Sequence, residues 1–260
     1  MKIIFSDFDK TLVDRSINKG SIPSDNLDIL RKLKRNSVKF SIVSGRCLSF
    51  FKENYLELMD VVSYFVSSNG SSIYDVFHND YIYRNFIDSN SLKKIYDCAK
   101  KYGLSVFFNL LDKRLYFEQG SYQYFDFDKI NCEQVVLIGN IECWGELIDD
   151  IKQIEDVVIN NRGKNPDVGS FFIDINRKGV SKGNAISYLC DYLKVDKNDA
   201  ICFGDSDNDF SMFQVVGSGI AVENASELIK TNADVVIGTV WEDSVFRYVD
   251  DNFNKEGKNR

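Results

Sequence analysis

The chain opens on a short apolar run at residues 2–6 that stops at an acidic loop. Residues 24–35 follow with Leu27, Leu30 and Leu33 at helical spacing, and Ser24 stands where an N-cap is expected. A second apolar run at 38–43 ends in Ser44-Gly45-Arg46, a helical pattern continues to about residue 59, and a third run at 61–66 ends in Ser67-Ser68-Asn69-Gly70. Strand, helix, strand, helix, strand is the unit of a doubly wound parallel sheet. The carboxyl-terminal part repeats it, with a helix over 182–193, a strand over 200–203, an acidic loop at 204–209, and short strands at 219–222 and 234–237.

Between these parts the rhythm changes. Residues 84–176 carry longer, aromatic-rich strand patterns at 105–110, 114–117, 134–138 and 171–175, with helices over about 89–102 and 142–154. Strands grouped in this way need not alternate with helices, so the segment reads as an inserted α+β lid, or cap. The expected organisation is therefore an α/β core made of residues 1–83 and 177–260, interrupted by a cap at 84–176. Phe107, Phe108, Tyr116, Phe117, Tyr122, Tyr124, Phe125 and Phe127 are expected to form the cap's interior rather than a sugar-stacking surface. Arg114, Arg162 and Lys164 are expected at its solvated surface.

Composition narrows the function. With 32 Lys and Arg against 39 Asp and Glu, the formal charge is −7, which repels a polyanion and argues against nucleic acid as a partner. The first residues meet a carboxylate too early for a signal peptide, and no run has the length of a membrane span. The six cysteines are scattered without a C-x-x-C, as expected of reduced thiols in a cytoplasmic protein.

Chemistry gathers at the ends of the predicted strands. In open parallel sheets ligands sit where the loops after the strands converge, and the loops at Asp7, Ser44, Asn69 and Gly204 all qualify. Asp7-Phe8-Asp9 places two carboxylates on one side of extended chain, roughly 6 to 7 Å apart. Asp205, Asp207 and Asp209 add acid at another strand end; carboxylates so crowded need a cation, and hard oxygen ligands point to Mg²⁺. An EF-hand fails because Phe210 and Val216 stand where its turn glycine and closing glutamate belong. A serine triad has only His78 to draw on, and neither a Walker loop nor a dinucleotide glycine motif follows any strand.

Asp7-Phe8-Asp9-Lys10-Thr11-Leu12, the strand ending in Ser44-Gly45-Arg46, the KGVSKG segment around Lys182 and Gly204-Asp205-Ser206-Asp207-Asn208-Asp209 together resemble the four ordered motifs of the haloacid dehalogenase superfamily. The place and size of the insertion resemble its Cof-type, or IIB, sugar-phosphatase branch, which is similar to phosphomannomutases and sucrose-phosphate phosphatases. The resemblance implies a Rossmann-like core and a phosphatase acting on small phosphorylated metabolites, sugar phosphates first, through an aspartyl phosphate. It makes Asp7 the nucleophile and Asp9 the acid and then the base, with Ser44 and Lys182 on the phosphoryl oxygens. Magnesium would be held by Asp7, the main-chain carbonyl of Asp9 and Asp205, with Asp209 in support; Asn208 would touch phosphate or orient Lys182. Asp207 is expected to be exposed and dispensable. Lys10 departs from the family's frequent glycine, and is expected to be solvated. Glycines 179 and 183 flank Lys182, which suggests close approach of backbone to a ligand. A phosphomutase of the same chemistry and a noncatalytic metal-binding regulator of the same fold are the competing readings.

Overall fold

A computed structural model of the protein describes residues 2–16, 20–111, 113–123, 125–140, 142–164 and 169–254. Its main sheet has eight strands. β1 (Ile3–Ser6), β2 (Lys39–Val43) and β3 (Tyr64–Ser67) come from the first part of the chain, with α1 (Ser24–Arg35) and α2 (Leu48–Asn54) between them. After β3, a hairpin of β4 (Ser72–Asp75) and β5 (Asp80–Arg84) closes one edge. The chain then builds α3 (Ser89–Tyr102), β6 (Ser105–Leu110), β7 (Arg114–Phe117), β8 (Cys132–Gly139), α4 (Trp144–Lys152), β9 (Val157–Lys164) and β10 (Phe171–Arg177). It returns through α5 (Lys182–Leu193), β11 (Ala200–Gly204), α6 (Phe210–Phe213), β12 (Ser218–Val222), α7 (Glu227–Thr231), β13 (Val235–Ile237) and α8 (Ser244–Val249).

The main sheet runs β13-β12-β11-β1-β2-β3-β4-β5, and its pairings are parallel except β3–β4 and β4–β5, which are antiparallel. Its central strand is apolar on both faces because helices cover both. Ile4 packs on one side with Leu27, Leu30 and Leu33 of α1 and Phe246 of α8. Ile3 and Phe5 pack on the other with Ile186 and Leu189 of α5.

The second sheet, β7-β6-β8-β10-β9, is antiparallel throughout. On one face Val106, Phe108, Leu137 and Ile173 meet Leu92 and Ile95 of α3 and Leu147 of α4. The other face presents Asn109, Gln134 and Asp174 to the loops of the main sheet. A bulge in β8 leaves Glu133 without a partner in the ladder, and its buried carboxylate accepts a hydrogen bond from Ser68 Oγ across the boundary at 2.9 Å.

Several expectations need correction. Ser24 is the first helical residue rather than the cap; Pro23 precedes it and makes no side-chain cap bond. The helix after β2 breaks at Tyr55 into a 3-10 turn at Leu56–Asp60. The β4–β5 hairpin and β9 had no expectation. In the cap, Phe108 and Phe127 are buried, but Tyr116 is exposed and stacks on Phe107 at 4.4 Å on the face away from that interior; Tyr124 lies outside the described residues. Among the described residues no helix is long and apolar enough to cross a membrane.

Candidate active site

The loops after β1, β2, β3 and β11 meet above neighbouring strands of the main sheet. Alternation along the first of them separates the groups: Phe8 is buried edge-on against Phe51 and Tyr55, with ring centroids 5.0 and 4.8 Å away. Asp7 and Asp9 are turned away from that apolar cluster. Asp7 is buried, with its backbone N–H donating to the Phe203 carbonyl at 2.9 Å, which ties the loop to β11.

Lys182 is the first residue of α5, and its ammonium is buried between two carboxylates, 2.6 Å from Asp7 Oδ1 and 2.5 Å from Asp209 Oδ1. Ser181 caps the helix, its hydroxyl accepting from the Asn184 N–H. The glycine that follows the lysine matters for a reason other than close approach to a ligand. A Cβ at Gly183 would stand 2.1 Å from the Ser211 carbonyl oxygen, so only glycine lets α5 lie against the 207–213 segment and bring Lys182 to Asp209.

Asp209 is fixed in turn. Its Oδ2 accepts from the backbone N–H groups of Asp205 and Ser206, each at 3.0 Å. Asp205 is buried, and its Oδ1 accepts from Thr11 Oγ1 at 2.9 Å. Oxygens of Asp7, Asp205 and Asp209 all lie within 4.8 Å of one another. Three buried carboxylates share one ammonium, and the imbalance shows in the acidity of Asp7 and Asp205. Burial pushes Asp7 well above the ordinary carboxylate range, against the pull of Lys182, and burial with the charge of Asp209 pushes Asp205 up to about 7. For Lys182 burial works against the charge, but Asp209 and Asp7 outweigh it and hold its pKa above the ordinary value. A hard divalent cation between these oxygens would relieve the crowding, so the donor set fits Mg²⁺.

Asp9 lies apart from the trio. Its carboxylate is partly exposed and gripped by Arg46, with Nε to Oδ2 at 2.8 Å and Nη2 to Oδ1 at 2.9 Å. Burial works against the Arg46 guanidinium, but Asp9 raises its pKa above the ordinary value. Ser44 is buried, and its hydroxyl accepts from the Arg46 N–H at 3.1 Å. Asn208 does not touch Lys182: its Nδ2 donates to Asn69 Oδ1 at 3.2 Å, and its Oδ1 accepts from Ser206 Oγ at 2.8 Å. Asp207 is exposed and accepts from Ser226 Oγ at 2.7 Å.

Among the residues at this site that had no assigned role are Arg46, Asn69 and Asp174. Arg46 completes the Ser44-Gly45-Arg46 motif, and Asn69 sits in a loop already expected to converge here. Asp174 comes from β10 of the cap and accepts from Asn69 Nδ2 at 3.2 Å; a single acid in the apolar run Phe171-Phe172-Ile173-Asp174-Ile175 is its signal in the sequence.

The site therefore gathers three buried carboxylates able to hold a cation, with a buried ammonium against two of them. A family model described as haloacid dehalogenase-like hydrolase matches residues 4–249. The protein of Bacillus subtilis (strain 168) named 5-amino-6-(5-phospho-D-ribitylamino)uracil phosphatase YcsE is 24% identical over 255 residues, covering 96% of this chain and 94% of that one. YwtE, a protein of the same organism with the same activity name, is 25% identical over 296 residues, covering 96% and 97%. A solved haloacid dehalogenase-like hydrolase from Bacteroides thetaiotaomicron shares the fold, with a TM-score of 0.79 over 97% of this chain and 99% of that one at 22% identity. With its family model spanning both the carboxylate loops and the cap, this chain belongs to the haloacid dehalogenase-like hydrolases.

Proposed function

We propose that the protein is a Mg²⁺-dependent phosphatase that removes the phosphoryl group of small phosphate monoesters by way of a phosphorylated Asp7. The observation that carries this reading is the setting of Asp7: one buried carboxylate at a strand end, facing a buried ammonium and two further carboxylates.

In the first step an Asp7 oxygen attacks phosphorus, the bond from phosphorus to the leaving oxygen breaks, and Asp9 gives that oxygen a proton. In the second, Asp9 takes a proton from water, whose oxygen attacks the phosphorus of the aspartyl phosphate and returns Asp7 with release of inorganic phosphate. Lys182, Ser44 and one amide hydrogen of Asn208 serve the oxygens that do not react. Mg²⁺ would be held by Asp7, Asp205 and the Asp9 carbonyl, with Asp209 in support, and when bound it supplies positive charge to the phosphoryl oxygens. Asp209, with Lys182 on one oxygen and two backbone N–H groups on the other, serves chiefly to hold the lysine and the 205–206 backbone. Arg46 occupies both oxygens of Asp9, so proton transfer to the leaving group requires that grip to loosen.

The phosphatase names of the two Bacillus relatives support the reading, and their named substrate carries its phosphate on a ribityl chain. Pentose, hexose and polyol phosphates are therefore the leading substrates, ahead of nucleotides. The test is phosphate release from a panel of such esters with Mg²⁺ or with EDTA, for wild type and Asp7→Asn. Release that survives EDTA, or an Asp7→Asn enzyme working at the wild-type rate, would sink the mechanism. Isomerisation of a hexose 1-phosphate without net release would favour a mutase instead.

A further inference from the structure

Behind the groups assigned to phosphoryl transfer, a chain of three side chains crosses from the core to the cap. Asn69 stands in the turn after β3, where Ser68, Asn69 and Gly70 take φ angles of 51°, 57° and 104° in succession. Successive left-handed residues are costly and persist only where the surroundings hold them. Here the Ser68 N–H donates to the Arg46 carbonyl at 2.8 Å and the Asn69 N–H to the Ser44 carbonyl at 2.9 Å. A Cβ at Gly70 would stand 2.3 Å from the Ser181 carbonyl oxygen. The turn is thus built against the loop after β2 and the start of α5.

Asn69 is 1% exposed, and both ends of its amide are engaged. Its Nδ2 donates to Asp174 Oδ2 of the cap and its Oδ1 accepts from Asn208 Nδ2 of the core, each at 3.2 Å. The order is fixed by chemistry. An ionised carboxylate only accepts, so Asp174 takes the amino end of Asn69, and Asn69 has only its carbonyl left for Asn208. Asn208 must turn its own amino end inward to meet it, while its carbonyl is taken by Ser206 Oγ at 2.8 Å. One amide hydrogen of Asn208 then remains for a ligand.

We infer that Asn69 is a positioning residue which transmits the seating of the cap, through Asp174, to the orientation of Asn208 toward substrate phosphate. The inference rests on the phosphatase reading above and adds to it a coupling between cap and phosphate site. When the cap lifts, Asp174 leaves with β10, the Asn69 amide loses the partner that fixes its sense, and Asn208 loses its aim. Phosphate is therefore held more tightly with the cap seated.

The experiment is calorimetric titration of inorganic phosphate into Mg²⁺-loaded protein. The proteins compared are wild type, Asn69→Gly, Asn208→Ala, Asp174→Ala and the Asn69→Gly/Asn208→Ala double variant. Glycine at 69 tolerates the left-handed backbone while removing the side chain that carries the amide. Loss of one hydrogen bond's contribution predicts that Asn69→Gly and Asn208→Ala each weaken phosphate about five- to tenfold, with Asp174→Ala in the same direction. Because Asn69 acts through Asn208, the double variant should bind within about twofold of Asn208→Ala. A merely structural role for Asn69 would lower thermal stability and leave the two losses multiplicative. An Asn69→Gly protein within twofold of wild type, or multiplicative losses in the double variant, overturns the relay while the phosphatase reading stands. Wild-type protein that neither binds phosphate nor releases it from esters overturns both.

Discussion

Asp7 and Asp9 stand two positions apart, yet one faces Lys182 in a buried cluster and the other faces Arg46 near the surface. That difference predicts different consequences for the same change. Asp7→Asn keeps the shape of the side chain and removes the proposed nucleophile, so turnover should vanish whatever the leaving group. Asp9→Asn removes the proposed proton donor, whose value depends on the leaving group. General acid catalysis of about 10²–10⁴-fold should be lost with an alkyl phosphate, and at least about tenfold less with a nitrophenyl phosphate. Equal losses for the two esters, measured as kcat/KM, would count against the acid role. Lys10 makes a separate point. It is exposed and takes φ of 65°, a left-handed conformation that side chains disfavour and glycine adopts freely. Lys10→Gly should therefore be neutral or stabilising by up to about 1 kcal/mol in urea unfolding, where glycine at an ordinary position costs stability. A clear loss would show that the lysine does more than occupy the turn.

At the scale of the elements, what the sequence disclosed depends on how each strand is covered. The strands buried on both faces were legible as unbroken apolar runs, and α1, α3 and α5 as helical stretches with the observed bounds, though not with the right cap for α1. β9 was not legible, because Asn160, Asn161, Arg162, Gly163 and Lys164 lie at an edge of the cap sheet and carry little apolar signal. The bulge in β8 was invisible for a related reason: it re-aims Glu133 toward Ser68, a contact set by the meeting of two sheets and not by local spacing. The four loops that converge on the candidate site were legible because their residues are unusual at strand ends, whereas the groups joining the cap to the core required the fold. Asp174 on β10 is the clearest of these. Burial pushes its pKa up to about 6, despite the Asn69 amide and the charges of Arg46, Arg114 and Lys182. A carboxylate whose folded pKa lies above its unfolded value costs stability once the pH exceeds the folded value, and that cost fades as the pH falls toward the unfolded one. Asp174→Asn keeps an acceptor for Asn69 and removes the buried charge. It should be more stable than wild type at pH 7 to 8, by about 1 to 3 kcal/mol, and the advantage should disappear between pH 6 and pH 4. Urea unfolding across this range checks it; a wild type at least as stable at pH 8 would contradict the sign.

Across the whole molecule, the proposed mechanism divides labour between the two sheets. Every residue it assigns to phosphoryl transfer lies before Arg84 or after Asn176, which makes the cap the candidate for choosing the rest of the substrate. The cap stands over it on two crossings that are pinned to the core. Asn176 Nδ2 donates to the Ser68 carbonyl at 2.8 Å, and Arg177 Nη1 reaches Asn85 Oδ1 at 3.3 Å between the crossings. Gly179, with φ of 84°, lies just beyond and is placed to take up backbone change if the cap moves. Replacing the whole cap by a linker would strip Ser68 and Ser71 of their buried partners Glu133 and Asn176, and so would confuse specificity with folding. Arg114 offers a cleaner probe. It is exposed on β7, held by Asn109 Oδ1 at 2.8 Å, and lies over the Phe107 ring at 5.1 Å on the cap face that looks toward the core. If the cap selects the leaving group, Arg114→Ala should change the ranking of pentose, hexose and polyol phosphates by about three- to tenfold in relative kcat/KM, the scale of one polar contact. The Mg²⁺ concentration that gives half-maximal activity should stay where it is, because no assigned metal ligand comes from the cap. A uniform fall for every ester would show that Arg114 supports the site without choosing the substrate. An unchanged ranking for Arg114→Ala, and for Phe107→Ala beside it, would place specificity in the core loops.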